Sequence, residues 1–321
     1  MNSRAVAVLV ASLVSLTQLS AALAQNSTSE RNPIIEKCVS STRTVIDGMR
    51  VELEKYPSLP SADKLVLFIP SADYAANALF KFKRIEISYA MCYEMLFNAD
   101  AVAVVREAFP DQLHKLTAYS KEVSQQVVKA EKASTPGSWV APKVQRFLVW
   151  AGVGDVWLPV DVAKRIEQQN EKIVLDMLAL LLGHEVAHLA IGHKAGPGIT
   201  RATAREQEVE ADKKGYQLAS MVFSTDGSPV ALLPMFGLMN RRHSLIPGEL
   251  DTHPIVECRV AYFFKQSDLL GKLTKVQLKP ADEAYLNATL AVAKFKTGVS
   301  VTSLTDVAER VLQQPECSLY Q

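Results

Sequence analysis

The sequence predicts a mainly helical α+β fold with one small sheet, on three observations. Apolar residues recur at helical spacing through most of the chain, around 34–56, 89–109, 110–133, 160–172, 173–193, 203–220, 280–297 and 303–314. Strand character is confined to 64–69 (KLVLFI) and 77–88, the latter ending on the alternating run RIEIS. The third observation is the stretch 173–193, apolar at helical spacing and free of proline. An apolar content of 48% is ample for a packed core around it.

In chain order, residues 1–24 read as a secretory signal. Arg4 supplies the positive n-region, 5–16 is apolar, and Ala22-Leu23-Ala24 forms a small-x-small cleavage site before Gln25. The alternative is an uncleaved anchor; Ser12, Ser15, Thr17 and Gln18 interrupt the run and favour cleavage after Ala24. The mature part, 25–321, then starts without a lipidation cysteine, is expected to carry no transmembrane helix, and reads as periplasmic or secreted. Of the 35 basic residues only Arg4 leaves with the signal, so 34 basic residues face 34 acidic ones. Such a balance gives no pull toward nucleic acid or a charged membrane surface.

Residues 26–33 are a polar tether, and Pro57, Pro60 and Ser61 end the first helix. The break 134–138 (STPGS) ends the helix over 110–133. The segment 139–159 is irregular and holds Trp139, Trp150 and Trp157, read either as core packing or as the wall of a cleft. Beyond 220, Asp226-Gly227-Ser228-Pro229 marks a turn, 231–243 is apolar, and 244–252 is a loop. His253-Pro254 is expected to open the next helix, with Pro254 in its first position. His114 and Arg241-Arg242-His243 read as surface.

Four cysteines, Cys38, Cys92, Cys258 and Cys317, lie in the mature part, and none sits in a CxxC pair. An even number in an exported chain implies two disulfides with three connectivities open, of which the local one, Cys38–Cys92 with Cys258–Cys317, is favoured; buried free thiols are the alternative.

The chemistry concentrates in LALLLGHEVAHLAIGH, residues 178–193. On one helix His184 and His188 share a face one turn apart and can converge on one cation. Glu185 lies about 100° around that helix, placed to hold water as a general base without being a ligand. His193, five residues past His188, is rotated off that face and reads as structural. Gly192, Gly196, Pro197 and Gly198 end the helix. In the next one, Glu208, Ala211, Asp212 and Gly215 form one stripe. That stripe makes sense if Glu208 completes a Zn²⁺ shell and Asp212 orients a ligand imidazole. The alternative is a solvated acidic face, since Glu206 and Glu210 are also present.

HEVAHLAIGH followed by EVEAD resembles the zinc metallopeptidases that include the CAAX prenyl proteases and the HtpX-type proteases, which carry HExxHxxxxH and then ExxAD. Thr252, His253, Pro254 and Arg259 match a further shared piece, so the likeness covers about 173–262. The resemblance implies His184, His188 and Glu208 as zinc ligands, Glu185 as base, and Asp212 as the orienting carboxylate. The mature chain, 25–321, is expected to form a single zincin-like peptidase domain, with the family-like core at 173–262 and, outside the likeness, an N-terminal helical and strand part at 34–159 and closing helices at 280–314. In such proteases an edge strand beside the cleft holds substrate backbone, a role open to either of the two extended pieces.

The expected protein is therefore an exported zinc metalloendopeptidase acting on a protein or peptide substrate. Zn²⁺ lowers the pKa of water, and Glu185 moves the proton from that water to the leaving amine. His253 is expected near the zinc as a neutral imidazole, as oxyanion stabiliser or gate, against the alternative of a plain helix cap. Arg259 is expected behind the ligands together with Asp212, and is a further candidate around the oxyanion. Two competing expectations are a latent or non-proteolytic zinc-binding chaperone or interaction module of the same fold, and a helical scaffold with no metal at all.

Overall fold

The structure is a computed structural model that describes residues 32–70, 76–135, 139–154, 158–196, 198–223, 253–269 and 304–321. The expected signal at 1–24, the features at 226–252 (Thr252 included), Trp157 and the helix at 280–297 lie outside the described residues. What is described is mainly helical, with one three-stranded sheet.

Helix α1 (Pro33–Leu53) starts where Asn32 caps it: the side-chain oxygen accepts from the Ile34 and Ile35 amides at 3.1 and 3.4 Å, and Pro33 takes the first turn. Its inner stripe is Ile35, Cys38, Val45, Ile46 and Met49. The strand expected over 64–69 is shorter, because a turn of helix, α2 (Ala62–Leu65), precedes β1 (Val66–Ile69). The extended piece expected over 77–88 is two strands, β2 (Ala76–Leu79) and β3 (Arg84–Ser88). The Phe82 and Lys83 amides donate back to Leu79 and Phe80 and close the turn, with Lys83 at φ 50. The sheet order is β1-β3-β2, with β1 parallel and β2 antiparallel to β3. The central strand buries Ile85 and Ile87 completely, and β2 is an edge.

Helix α3 (Tyr89–Glu107) follows directly, its first turn capped by Ser88, whose Oγ accepts from the Met91 amide at 3.1 Å. The helix expected over 110–133 is divided. Pro110 opens a 3-10 turn (Pro110–Lys115), and α4 (Leu116–Ala133) comes after it. A short helix α5 (Phe147–Trp150) lies in the stretch expected to be irregular. Trp139 packs edge-on against Tyr89, and Trp150 packs against Tyr119 and Phe147, both half-buried against the core.

The stretches 160–172 and 173–193 form one helix, α6 (Val160–Ile191), since no residue between them breaks the i to i+4 ladder. Helix α6 packs against α1, α3, β2 and β3, and against α7 (Arg201–Ala219). It is long and apolar enough to cross a bilayer, yet 83% of its apolar window is buried by the rest of the fold, the position of a core helix. Helices α8 (Val256–Leu269) and α9 (Leu304–Leu312), with the 3-10 segment Pro315–Tyr320, complete the described fold.

The favoured cysteine pairing is the one present. Cys38–Cys92 joins α1 to α3, and Cys258–Cys317 joins α8 to the 3-10 segment. Two buried disulfides point to an oxidising compartment.

Candidate metal centre

Three helices and one 3-10 segment supply the site. On α6, His184 and His188 stack one turn apart, their Nε2 atoms 3.0 Å from each other. Opposite, on α7, Glu208 places Oε2 3.2 Å from His184 Nε2 and Oε1 3.3 Å from His188 Nε2. The donor atoms of His184, His188 and Glu208 all lie within 4.8 Å of one another.

The two helices can bring these donors together because they touch backbone to backbone. A Cβ on Gly183 would meet the Gly215 carbonyl oxygen at 2.4 Å, and one on Gly215 would lie 2.7 Å from the His184 Cα and N. Neither position has room for any side chain. The stripe Glu208, Ala211, Asp212, Gly215 is therefore the inner face of α7; Ala211 and Asp212 are 0% and 1% exposed, which removes the solvated-face alternative for those two residues.

Behind the donors, each imidazole is fixed through its other nitrogen. His184 Nδ1 lies 2.9 Å from Asp212 Oδ1. Asp212 also accepts from Arg259, Nη2 to Oδ1 at 2.6 Å and Nε to Oδ2 at 2.8 Å, and from the Tyr320 hydroxyl at Oδ2. His188 Nδ1 is 2.8 Å from His193 Nδ1, and His193 Nε2 is 3.1 Å from Glu210 Oε2. Hydrogen bonds of this kind pin the tautomer: with the proton on Nδ1, the Nε2 lone pairs of both histidines point into the cluster.

The charges of the cluster are set by one another. Burial pushes the His184 pKa down, but the contacts to Asp212 and Glu208 outweigh it and carry it up to about 10. Burial pushes the Glu208 carboxyl up, but His184, His188 and His253 outweigh it and hold it well below the usual range. Asp212 is likewise opposed by burial and brought to about 2 by Arg259 and His184. Tyr320 is pushed well above its usual range by burial and by Asp212, so it stays a hydroxyl donor. A positive charge is thus favoured among the donors. Glu208 Oε2 is itself buried with no hydrogen bond, the imidazole contacts being too poorly aligned to count as such. An oxygen orphaned in this way, flanked by two imidazole nitrogens, is a donor available to a metal ion held by His184, His188 and Glu208.

Glu185 is buried at 8% exposure, and among the described residues no side chain bonds to its carboxylate. His253 also reaches Glu208, its Nε2 3.4 Å from Oε2. It does not open the following helix as expected. Helix α8 begins at Val256, with the Cys258 amide donating to the Ile255 carbonyl, because Pro254 biases the residue before it away from helical backbone. His253 therefore lies ahead of the first turn of α8, three residues before Val256. Arg259 lies behind the ligands beside Asp212, the place expected for it: its side chain is 4% exposed and pairs with the Asp212 carboxylate.

Three contributors escaped sequence reasoning. His193 is outside the ligand group, in keeping with its structural reading, but its contact with His188 is not legible if the helix is taken to continue. The helix ends at Gly192, in left-handed conformation at φ 81, and the chain turns back so that His193 meets His188. A glycine just past a helix is the usual sign of that turn. Tyr320 had a signal too: it follows Cys317 by three residues, and Cys317 pairs with Cys258, the neighbour of Arg259. Phe80, just after the edge strand β2, packs edge-on against the His188 ring at 6.1 Å and carried no signal in the sequence. No protein-family model, no curated protein and no solved structure matches the chain.

Proposed function

We propose that this protein is a zinc metalloendopeptidase with a zincin-like site, exported by a signal cleaved after Ala24 and working in the periplasm or outside the cell. One observation carries the reading: His184, His188 and Glu208, whose Oε2 has no hydrogen bond, converge, and Glu185, buried and without a side-chain partner among the described residues, follows the first histidine. The three converging residues would hold the ion. When bound, zinc supplies a Lewis acid that lowers the pKa of water and polarises a carbonyl.

The chain's own residues do the rest. Asp212 and His193 keep the ring protons on Nδ1, so both Nε2 atoms stay available. Glu185, free of other partners, accepts a proton from the attacking water on its carboxylate and returns it to the departing amine. Phe80 and the edge of β2 border His188, and an extended peptide would add along that edge. The two disulfides agree with an exported chain.

A second reading has its own support. His253 Nε2 lies 3.4 Å from Glu208 Oε2, one of the proposed donors, which is compatible with a latent enzyme held shut by that imidazole. The two differ in sign. His253→Ala raises turnover if the imidazole is a gate and lowers it if the imidazole stabilises an oxyanion.

The deciding experiment is metal analysis of purified mature protein together with casein hydrolysis by wild type and Glu185→Gln. One zinc per chain in both proteins, with hydrolysis reduced by ~10²–10⁴-fold in the variant, is the expected result. Zinc without any effect of Glu185→Gln on proteolysis would transfer the site to a non-catalytic binding module, and absence of zinc would end the reading.

A further inference from the structure

We propose that Tyr320 is a positioning residue of the metal centre: its hydroxyl fixes Asp212, Asp212 fixes His184, and the Cys258–Cys317 disulfide holds Tyr320 in place. The inference rests on the zinc reading above and extends the site to a residue 108 positions from Asp212.

A carboxylate offers about four acceptor positions. On Asp212 all four are filled: Oδ1 faces His184 Nδ1 and Arg259 Nη2, while Oδ2 faces Arg259 Nε and the Tyr320 hydroxyl. Arg259 already grips both oxygens as a bidentate pair, and its Nη2 shares Oδ1 with His184 Nδ1. The Tyr320 hydroxyl gives Oδ2 its second donor, so both oxygens are doubly held and the carboxylate plane that aims Oδ1 at His184 is set from both ends. Tyr320, Asp212 and Arg259 are 5%, 1% and 4% exposed, and water is in no position to replace a missing donor.

The segment that carries Tyr320 is clamped well beyond what one hydroxyl needs. Besides the disulfide, Lys213 Nζ donates to the Leu319 carbonyl at 3.2 Å and Gln321 Nε2 to the Leu312 carbonyl at 2.7 Å. The Tyr320 ring also packs on Tyr262, centroids 5.4 Å apart. Lys213 follows Asp212 in sequence and Cys258 precedes Arg259, so the clamps attach to the residues on either side of the network they position.

The test uses the disulfide-intact protein and Zn²⁺ in competition with a chromophoric chelator at 25 °C, with circular dichroism confirming that each variant is folded. Tyr320→Phe keeps the ring and its packing and removes one donor. Zinc affinity is expected to fall about 10-fold, the low end of what outer-shell losses produce, because Arg259 still holds Asp212. In an Asp212→Asn background the same substitution should add nothing. A Cys258→Ser, Cys317→Ser double variant gives an independent measurement, and a similar weakening in the folded protein is expected. A hydroxyl that merely fills space leaves the affinity of folded Tyr320→Phe within twofold of wild type, which overturns the inference. Additive losses with Asp212→Asn would overturn the route through Asp212, and wild-type affinity in the cysteine variant would overturn the role of the tether. Wild type that holds no zinc defeats the underlying zinc reading, a different result from tight binding shared by wild type and Tyr320→Phe.

Discussion

Gly215→Ala tests whether donor spacing is set by the backbone contact between α6 and α7. The added Cβ would lie 2.7 Å from the His184 Cα and N, where ordinary contact begins near 3.4 Å. The shortfall, 3.4 less 2.7, is 0.7 Å, and its partners are backbone atoms without a rotamer to yield. The helices must part by about that distance, carrying Glu208 and Asp212 away from His184. Functional sites tolerate roughly 0.5 Å of displacement, so the donors should fall out of register. In stability, overpacking costs about 1–3 kcal/mol, while replacing glycine in a helix interior returns about 1 kcal/mol. The expected net is a loss of about 0–2 kcal/mol. Zinc affinity should drop more than that modest loss implies. Chelator competition and thermal unfolding on the same samples separate the two effects. Gly48→Ala is the matched control, since its Cβ meets Val222 Cγ2 at 3.0 Å, a side-chain atom that can move. Wild-type zinc affinity in Gly215→Ala would refute the idea that the glycine contact sets the site.

Asp212→Asn should lower zinc affinity by roughly 10–100-fold, with activity partly recovered at high zinc, as titration with and without added metal would show. His193→Phe keeps a ring but removes the partner of His188 Nδ1, so an affinity loss of about 10-fold is expected by the same titration. Glu210→Gln, at the 60%-exposed end of that chain, should change it by less than about twofold. Mass spectrometry of protein from an exporting host should show Gln25 as the first residue and a mass four hydrogens below that of the reduced chain, the two disulfides accounting for the four.

Local physics made much of this readable. The i, i+4 spacing of His184 and His188 needs only a helix, and an unbroken apolar run supplies one. The stripe from Glu208 to Gly215 is a one-helix pattern as well, and its burial follows once α6 needs a partner. The cysteine pairing was legible because local loops close at low entropic cost. What stayed hidden required knowing where the chain goes after an element ends. Gly192 reverses the direction that carries His193, Pro110 divides a helix that periodicity joined, and four residues at 80–83 fold one extended piece into two antiparallel strands. The parallel pairing of β1 with β3 has no local signature at all, and neither does the meeting of Tyr320 with Asp212.

The contact of Gly183 with Gly215 also governs how the site responds to disturbance. Most binding sites inherit the softness of the side chains around them, which shift rotamers when a neighbour changes size or the temperature rises. Here the spacing between the imidazoles and Glu208 is measured off peptide groups already in contact, so it has almost no mechanical compliance. Small losses of packing elsewhere lower the free energy of the fold without stretching the donor triangle. On the proposed reading, metal release on heating then coincides with cooperative unfolding instead of preceding it, and moderate surface variation leaves the affinity for the ion unchanged.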